Sequence, residues 1–253
     1  MFLRNNNLHI RRFEFKYLVP DRNLDKIRNS IWDFVEVDKY AKKINSNSYQ
    51  VKSLYLDDFN YSSYFEKLAG IKYRRKLRIR AYQNSVTDNS RVFLEIKRKD
   101  DVIVFKDRIE TTLAEIRKYI EGTRYDLLKK DSNVDSRARF FNAFRRAGLV
   151  NTTLISYKRE AYFDRLNSSF RLTLDQDLSA LKTCGIDFDS SGADSVVPGY
   201  AVVEAKFNRI MPYWFGMIIR SQNLERISAS KYCISLERCG IVRRSNLPVP
   251  AWI

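Results

Sequence analysis

Residues 76–82 alternate between apolar and mainly basic side chains, and this alternation constrains the fold of the chain more than any other feature. In an extended strand, successive side chains point to opposite faces of the sheet. The two faces would be Leu77, Ile79 and Ala81 on one side, and Lys76, Arg78, Arg80 and Tyr82 on the other. A strand face so rich in cations repels itself unless an anion lies against it.

The same alternation recurs in other segments, with aromatic or aliphatic residues on one face and mainly charged residues on the other. These segments are residues 12–17, 92–99, 102–110, 170–175 and 201–207. Period-two alternation of this kind predicts β-strands. The segment around Ile155, Tyr157 and Arg159 is less regular, but we expect a strand there as well.

Hydrophobic periodicity and turn residues together predict the order of elements. Strands are expected at 11–19, 51–57, 74–83, 91–99, 102–111, 152–163, 169–176 and 199–207. Helices are expected at 22–35, 61–68, 113–121, 136–147, 212–223 and 228–239. Asp21 is a candidate cap for the first helix, and Gly70 for the end of the second. The turn at residues 100–101 predicts a hairpin, and residues 184–199 predict a surface loop.

Length and composition predict one α+β domain with a substantial core. The chain has 253 residues, of which 44% are hydrophobic and 13% aromatic. We find no internal repeat or linker, so we expect a single domain over residues 1–241 and an irregular tail over 242–253. The formal net charge of +16 indicates an anionic partner: nucleic acid, acidic lipid or a polyphosphorylated small molecule.

Several functional classes are disfavoured. Cys184, Cys233 and Cys239 match no zinc pattern and are expected to be reduced thiols in a cytoplasmic protein. His9 is the only histidine, which disfavours Ser–His, Cys–His and histidine–metal catalysis. No apolar run approaches the roughly 20 residues of a membrane-spanning helix, and no secretory signal is visible. The sequence leaves open the oligomeric state and a partner in the membrane.

The amphipathic helices and the one-sided strands together suggest how the chain folds. Helices need an apolar surface to pack on, and the strands offer one on a single face. If the helices cover that face from outside, the charged faces turn inward. We therefore predict a closed, mainly antiparallel β-barrel with a charged lumen and helices packed outside. The alternative is an ordinary sheet whose polar face meets water, although its cationic pattern on at least five strands argues against it.

Eight motifs in order along the chain resemble the VTC domain, the polyphosphate polymerase module of the vacuolar transporter chaperone family. They are EFKY (14–17), SLYLD (53–57), KLRIRAY (76–82), FLEIK (93–97), YKREAY (157–162), FRLTLD (170–175), AVVEAK (201–206) and SKY (230–232). That family belongs to the triphosphate tunnel metalloenzyme superfamily. Each motif alone is weak, but the ordered set covers nearly the whole chain.

The resemblance implies a fold, a reaction and a set of site residues. The fold is an antiparallel barrel around a basic tunnel, and the reaction transfers the γ-phosphoryl of ATP to polyphosphate with a divalent cation, manganese or magnesium. The implied catalytic residues are Arg78, Arg80, Lys97, Arg159 and Arg171. The implied phosphate-binding residues are Lys16, Lys67, Lys106, Lys206 and Lys231, with Glu204 as the metal ligand.

This sequence departs from the family pattern at two positions, and at a third from the signature of other branches of the superfamily. Lys67 stands where an arginine is expected, which keeps the charge but loses the planar fork of donors. Ser228 stands where a further lysine is expected. Arg12 replaces the first glutamate of the Glu-x-Glu-x-Lys signature of other branches, which favours the polymerase branch.

The chemistry suits these residue types, because phosphoryl transfer depends mainly on positioning and charge neutralisation. Two alternatives stay open. The first is a tunnel-fold triphosphatase or polyphosphatase, and the second is a non-catalytic binder of polyphosphate or inositol phosphate. Glu204 could also be no more than a salt-bridge partner. Nucleic-acid binding is disfavoured because the best-patterned cations lie on faces that we place inside.

Overall fold

The computed structural model describes residues 12–44, 46–101, 103–120, 140, 150–167, 169–228 and 230–243. Its strands are β1 Arg12–Pro20, β2 Val35–Val37, β3 Ser48–Asp57, β4 Arg74–Ala81, β5 Arg91–Asp100, β6 Ile103–Thr112, β7 Val150–Asp164, β8 Arg171–Lys182, β9 Asp194–Ser195, β10 Tyr200–Asn208 and β11 Arg226–Ile227. All eight predicted strands are confirmed. The three short strands β2, β9 and β11 were not predicted.

The helices are shorter than the periodicity predicted. They are α1 Leu24–Ile31, α2 Lys39–Lys43, α3 Ser62–Leu68, α4 Leu113–Ile120, α5 Tyr213–Ser221 and α6 Lys231–Arg238. Asp21 does not cap α1 but begins the short 3-10 turn before it. The unpredicted α2 begins after Asp38, whose carboxylate accepts a hydrogen bond from the Ala41 N–H at 2.9 Å. The predicted helix at 136–147 lies outside the described residues except Phe140, as do His9 and most of the predicted tail.

The strands form one antiparallel sheet in the order β11-β1-β10-β8-β7-β3-β4-β5-β6. The predicted closed barrel is wrong, because no hydrogen-bonded ladder joins β6 to β1 or β11 within the described part of the chain. Strand β6 carries Lys106, Arg108 and Glu110 at alternate positions, and charged side chains of this kind discourage an edge strand from pairing further.

The open sheet is nevertheless strongly curled. The Lys97 Nζ on β5 lies 3.0 Å from the Glu14 Oε2 on β1. These strands are six steps apart in the sheet order, which would separate them by about 29 Å in a flat sheet. The sheet therefore forms a trough, by which we mean its concave face, whose strands carry Glu14, Lys16, Arg78, Arg80, Glu95, Lys97, Arg159, Asp175, Glu204 and Lys206.

Most of the core lies on the convex face of the sheet. Ile27 of α1 and Phe215 of α5 pack with Leu172 of β8 and neighbouring apolar residues of β1 and β10. Ile116 of α4 packs in a second cluster with Ile79 and other residues of β3 to β6. These helices lie outside the sheet, as predicted, and their packing leaves the charged strand faces on the concave side.

Helix α6 is the exception, because it packs over one end of the trough. Its Tyr232 ring stacks on Tyr55 of β3 with centroids 5.0 Å apart. After Asp177, which has a φ of 53°, the apolar residues Leu178 and Ala180 of β8 join the same cluster as α6. Aromatic and aliphatic side chains therefore fill part of the trough beneath α6, while Lys231 at the start of this helix contacts Asp175.

Candidate functional site

The centre of one wall of the trough is Glu95 on β5, which is 1% exposed at its side chain. Its Oε2 accepts a hydrogen bond from the Arg78 Nε at 2.7 Å and lies 3.7 Å from an Arg80 nitrogen. Its Oε1 lies 2.6 Å from the Lys106 Nζ and 3.6 Å from the Arg108 Nε. Burial raises the pKa of Glu95, but Arg78, Arg80 and Lys106 outweigh it and hold the pKa well below its usual value. An ionised Glu95 thus gathers cations from β4 and β6.

The opposite wall is centred on Glu204 of β10, which is paired across the strands with Lys16 of β1. Its carboxylate contacts the Lys206 ammonium and lies 3.8 Å from the Lys231 Nζ and 4.0 Å from the Lys16 Nζ. Burial raises the pKa of Glu204, but Lys206, Lys16, Lys231 and Arg159 outweigh it, so the pKa lies well below the usual range. Glu204 is therefore an anion among ammonium groups.

Between the two walls, Asp175 on β8 is fully buried and orients Arg159 of β7. The guanidinium donates to both carboxylate oxygens, at 2.6 Å and 2.7 Å, and the Lys231 Nζ lies 2.6 Å from Oδ2. Burial raises the pKa of Asp175, but Arg159 and Lys231 outweigh it and lower the pKa. Asp175 was not among the predicted site residues, although its place in the alternation of residues 170–175 was the available signal.

Glu14 of β1 bridges the open side of the curled sheet to Lys97 of β5, the strand beside edge strand β6. It contacts the Lys16 Nζ at 2.6 Å and the Lys97 Nζ at 3.0 Å. Burial and nearby Glu204 raise the pKa of Glu14, but Lys16, Lys206 and Lys97 outweigh them and lower it to about 2. Through this contact Lys97, which belongs to a strand six positions away in the sheet order, lies close to the wall that holds Glu204.

Two of the implied site residues lie apart from these carboxylate clusters. Arg171 donates a hydrogen bond to the Asp38 Oδ2 at 3.2 Å, and its guanidinium carbon lies 5.2 Å from the centroid of the Phe163 ring. Lys67 on α3 lies 3.4 Å from the Ser228 Oγ, and burial and cations including Lys76 lower its pKa. Arg171 therefore contacts the residue that precedes α2, and Lys67 contacts the segment that precedes α6.

Tyr55 and Tyr157, which lie beneath Arg78 and Arg80, were also not among the predicted site residues. The Tyr55 hydroxyl accepts a hydrogen bond from the Arg78 Nη1 at 2.9 Å, and the Tyr157 hydroxyl accepts one from the Arg80 Nη2 at 3.4 Å. The available signal was the alternation of the strand motif at residues 53–57, which places the Tyr55 side chain on the face that carries the charges. Arg78 and Arg80 thus each have a phenol partner in addition to Glu95.

The trough holds more cations than carboxylates, and crowding affects several lysines. Burial lowers the pKa of Lys76, Lys106 and Lys206. Their anionic or polar neighbours oppose this shift, and a nearby cation adds to it in each case. A bound polyanion would relieve this repulsion, because it would supply the missing negative charge. Guanidinium groups suit phosphate through paired donors, whereas ammonium groups act as point charges.

Glu204 and the nearby Glu14 are the candidate ligands for a divalent cation. No cluster of three or more His, Cys, Asp or Glu side chains suited to a metal occurs within the described ranges. Magnesium is commonly held by one or two carboxylates together with phosphate oxygens of the substrate. The donor set therefore fits a hard divalent cation that arrives with a phosphate ligand, and it does not form an all-protein cage.

Comparison with known families decides the identity of the domain. A family model described as the VTC domain matches residues 11–239. The chain belongs to the VTC domain family. The resemblance drawn from the eight motifs is thereby confirmed. No curated protein matches this VTC domain in sequence.

Solved structures with a similar shape have low sequence identity to this VTC domain. A Bacillus halodurans protein described as a candidate adenylate cyclase has 12% identity and a TM-score of 0.49, covering 86% of this chain and 92% of that one. The Hippeastrum protein HpAC1, described as having a dominant triphosphatase activity, has 16% identity and a TM-score of 0.48, covering 90% and 95%. Among the described residues of the VTC domain, no helix is long and apolar enough to span a membrane.

Proposed function

We propose that this VTC domain is a metal-dependent polyphosphate polymerase that transfers the γ-phosphoryl of ATP to a polyphosphate chain in the trough. The observation that carries the proposal is the convergence of cations from both edges of the curled sheet. Lys97 and Lys16 share Glu14 across the gap, and Arg78 and Arg159 face the same trough. Such a concave, desolvated cationic surface favours a condensed phosphate over a small monoanion.

Each residue has a role that follows from its chemistry. Arg78 and Arg80 would hold the transferring phosphoryl, because Glu95 and the tyrosines fix their guanidiniums. Arg159, aligned by Asp175, would hold a neighbouring phosphate. The point charges along the chain would be Lys16, Lys67, Lys97, Lys106, Lys206 and Lys231. Arg171 would bind a phosphate at the end of the trough near α2.

The proposed reaction needs no covalent bond between the protein and the phosphates. A terminal phosphate oxygen of the polymer would attack the γ-phosphorus, a new P–O bond would form, and the bond to the β-phosphate oxygen would break to release ADP. Positioning and neutralisation of charge supply most of the rate in such transfers. A divalent cation held by Glu204 would neutralise charge on the reacting phosphates.

The test is to incubate the purified chain with ATP and manganese or magnesium and to follow both polymer length and phosphate release. We expect polymer that lengthens with time and ADP in equal amount to the phosphoryl groups added. The matched pair is Arg159→Ala and Lys158→Ala, since Lys158 is the exposed neighbour on the opposite face of β7. Only the first substitution should abolish synthesis.

Other outcomes of this experiment separate the alternatives. If phosphate is released and no polymer forms, the activity is that of a triphosphatase or polyphosphatase, and the proposed synthesis is wrong. Tight binding of polyphosphate without turnover at any divalent cation would leave a binding module. An absence of both binding and turnover would refute the trough as a polyphosphate site.

A further inference from the structure

We propose that Tyr55 positions Arg78 for phosphate and couples anion binding to the protonation of its own phenol. This inference rests on the proposed function, because it concerns the same trough. Tyr55 is a positioning residue in this scheme, since it acts through the guanidinium of Arg78.

The geometry places Tyr55 and Glu95 on two sides of one guanidinium. Tyr55 of β3 is paired directly across the strands with Arg78 of β4, and Arg78 in turn with Glu95 of β5. The Arg78 Nη1 donates to the phenol oxygen at 2.9 Å, while Nε donates to Glu95 at 2.7 Å. Arginine has more N–H donors than these two partners use, so Arg78 can bind phosphate while it stays held.

The phenol itself is fixed in place. Tyr55 is only 7% exposed, and its ring stacks on Tyr232 of α6 at an interplanar angle of 23°. The Tyr232 hydroxyl donates a hydrogen bond to the Asp57 Oδ2 at 2.6 Å. Because α6 holds Tyr232 and Tyr232 covers Tyr55, the phenol oxygen cannot swing away from Arg78.

Cations dominate the surroundings of the phenol. The charged and titratable groups that face it or its direct partners are Lys76, Arg78 and Arg80 on β4, Glu95 on β5, Tyr157 on β7, and Tyr232 and Cys233 on α6, with Asp57 on its own strand. Burial raises the pKa of Tyr55, but Arg78 and Arg80 outweigh it and lower the pKa to about 8. The tyrosine therefore loses its proton to solvent at a pH where an ordinary tyrosine keeps it.

Ionisation of Tyr55 and binding of an anion oppose each other. A phenolate beside Arg78 satisfies the guanidinium and repels a phosphate oxygen. Conversely, a phosphate bound to Arg78 and Arg80 cancels the charge that stabilises the phenolate, so the phenol takes up a proton. Linkage requires that the two effects be equal in size.

The test is a pH titration of tyrosinate absorbance, without metal, with and without inorganic triphosphate. The parent protein should show Tyr55 ionising near pH 8, and triphosphate should move this step to higher pH. Burial raises the pKa of Tyr82, but Arg80 and Arg108 outweigh it and lower the pKa, so the step is assigned from the difference between the parent and Tyr55→Phe. Tyr55→Phe should abolish the step. Tyr49→Phe is the matched control, because Tyr49 is a buried tyrosine of the same strand whose pKa burial raises to about 12; this variant should keep the step.

A second variant and a binding measurement complete the test. Arg78→Gln keeps Tyr55 but removes its cation, so the step should move to higher pH. The affinity for triphosphate should fall severalfold across the step in the parent, and by less in Tyr55→Phe. A step that persists in Tyr55→Phe, or that triphosphate leaves unmoved on binding, overturns the inference. If the parent binds no triphosphate at any pH, the proposed function fails, while the ligand-free titration still decides the pairing of Tyr55 with Arg78.

Discussion

The two walls of the trough use the same design, a buried carboxylate among cations, but with different cations. Glu95 is surrounded by guanidiniums and one ammonium, with contacts of 2.6 Å and 2.7 Å on its two oxygens. Glu204 has three ammonium groups around it, Lys206 in direct contact and Lys231 and Lys16 at 3.8 Å and 4.0 Å, with the Arg159 guanidinium also acting on it. The Glu95 wall is therefore organised mainly by guanidiniums, whereas the Glu204 wall is organised mainly by ammonium groups, one in direct contact and two more distant.

The difference teaches what each carboxylate can do. Guanidinium forks fix geometry, so Glu95 serves to aim Arg78 and Arg80. Ammonium groups are flexible and can move away from Glu204 when a divalent cation arrives with phosphate. We infer that Glu95 organises phosphate binding and that Glu204 is the carboxylate free to bind a metal.

The largest expected effect comes from exchanging each carboxylate for its amide. Glu204→Gln should lower metal-dependent turnover by about 100-fold or more, as loss of a transition-state electrostatic contact does. Its affinity for polyphosphate without metal should stay the same or rise, because a negative charge has been removed from the trough. Glu95→Gln should weaken metal-free binding, because Arg78 and Arg80 lose their common anchor. Equal losses of binding in both variants would contradict the division of roles.

The next effect concerns stability and compares Arg159 with Arg78. Arg159→Ala leaves fully buried Asp175 with Lys231 alone, and breaking a buried pair in this way costs about 3–5 kcal/mol. Arg78→Ala should cost less, because Glu95 keeps Lys106 and two further arginines nearby. Chemical denaturation of both variants measures the free energies of unfolding. A larger loss for Arg78→Ala would refute this ranking.

Alternation along single strands was enough to predict which side chains share a face. It placed Arg78 and Arg80 with Glu95 and Lys97 on the charged side, and it predicted that helices would cover the other side. These are local consequences of strand geometry, which a sequence carries directly.

The features that could not be predicted from the sequence depend on contacts between segments that are distant in the chain. The gap between β1 and β6 follows from the curl and pairing order of the whole sheet, so a closed barrel was a reasonable but wrong prediction. The pairing of Arg171 with Asp38 requires α2, a helix of five residues that shows no clear periodicity. Likewise, the contact of Tyr55 with Arg78 depends on the register of β3 against β4.

The smallest expected effect is on the free energy of unfolding, and it concerns the Lys97–Glu14 ion pair across the open side of the sheet. Lys97 is 46% exposed at its side chain, and exposed ion pairs contribute about 0–1 kcal/mol. A double-mutant cycle of Lys97→Ala and Glu14→Gln should therefore give a small coupling in the free energy of unfolding at neutral pH. The pKa of Glu14 is lowered in the folded protein from 4.5 to about 2, so the stability it contributes is complete above about pH 4.5 and is lost as the pH falls toward 2. The coupling should disappear over the same range, and a coupling that survives below pH 2 would mean that the two edges of the sheet are held together by something other than this bridge.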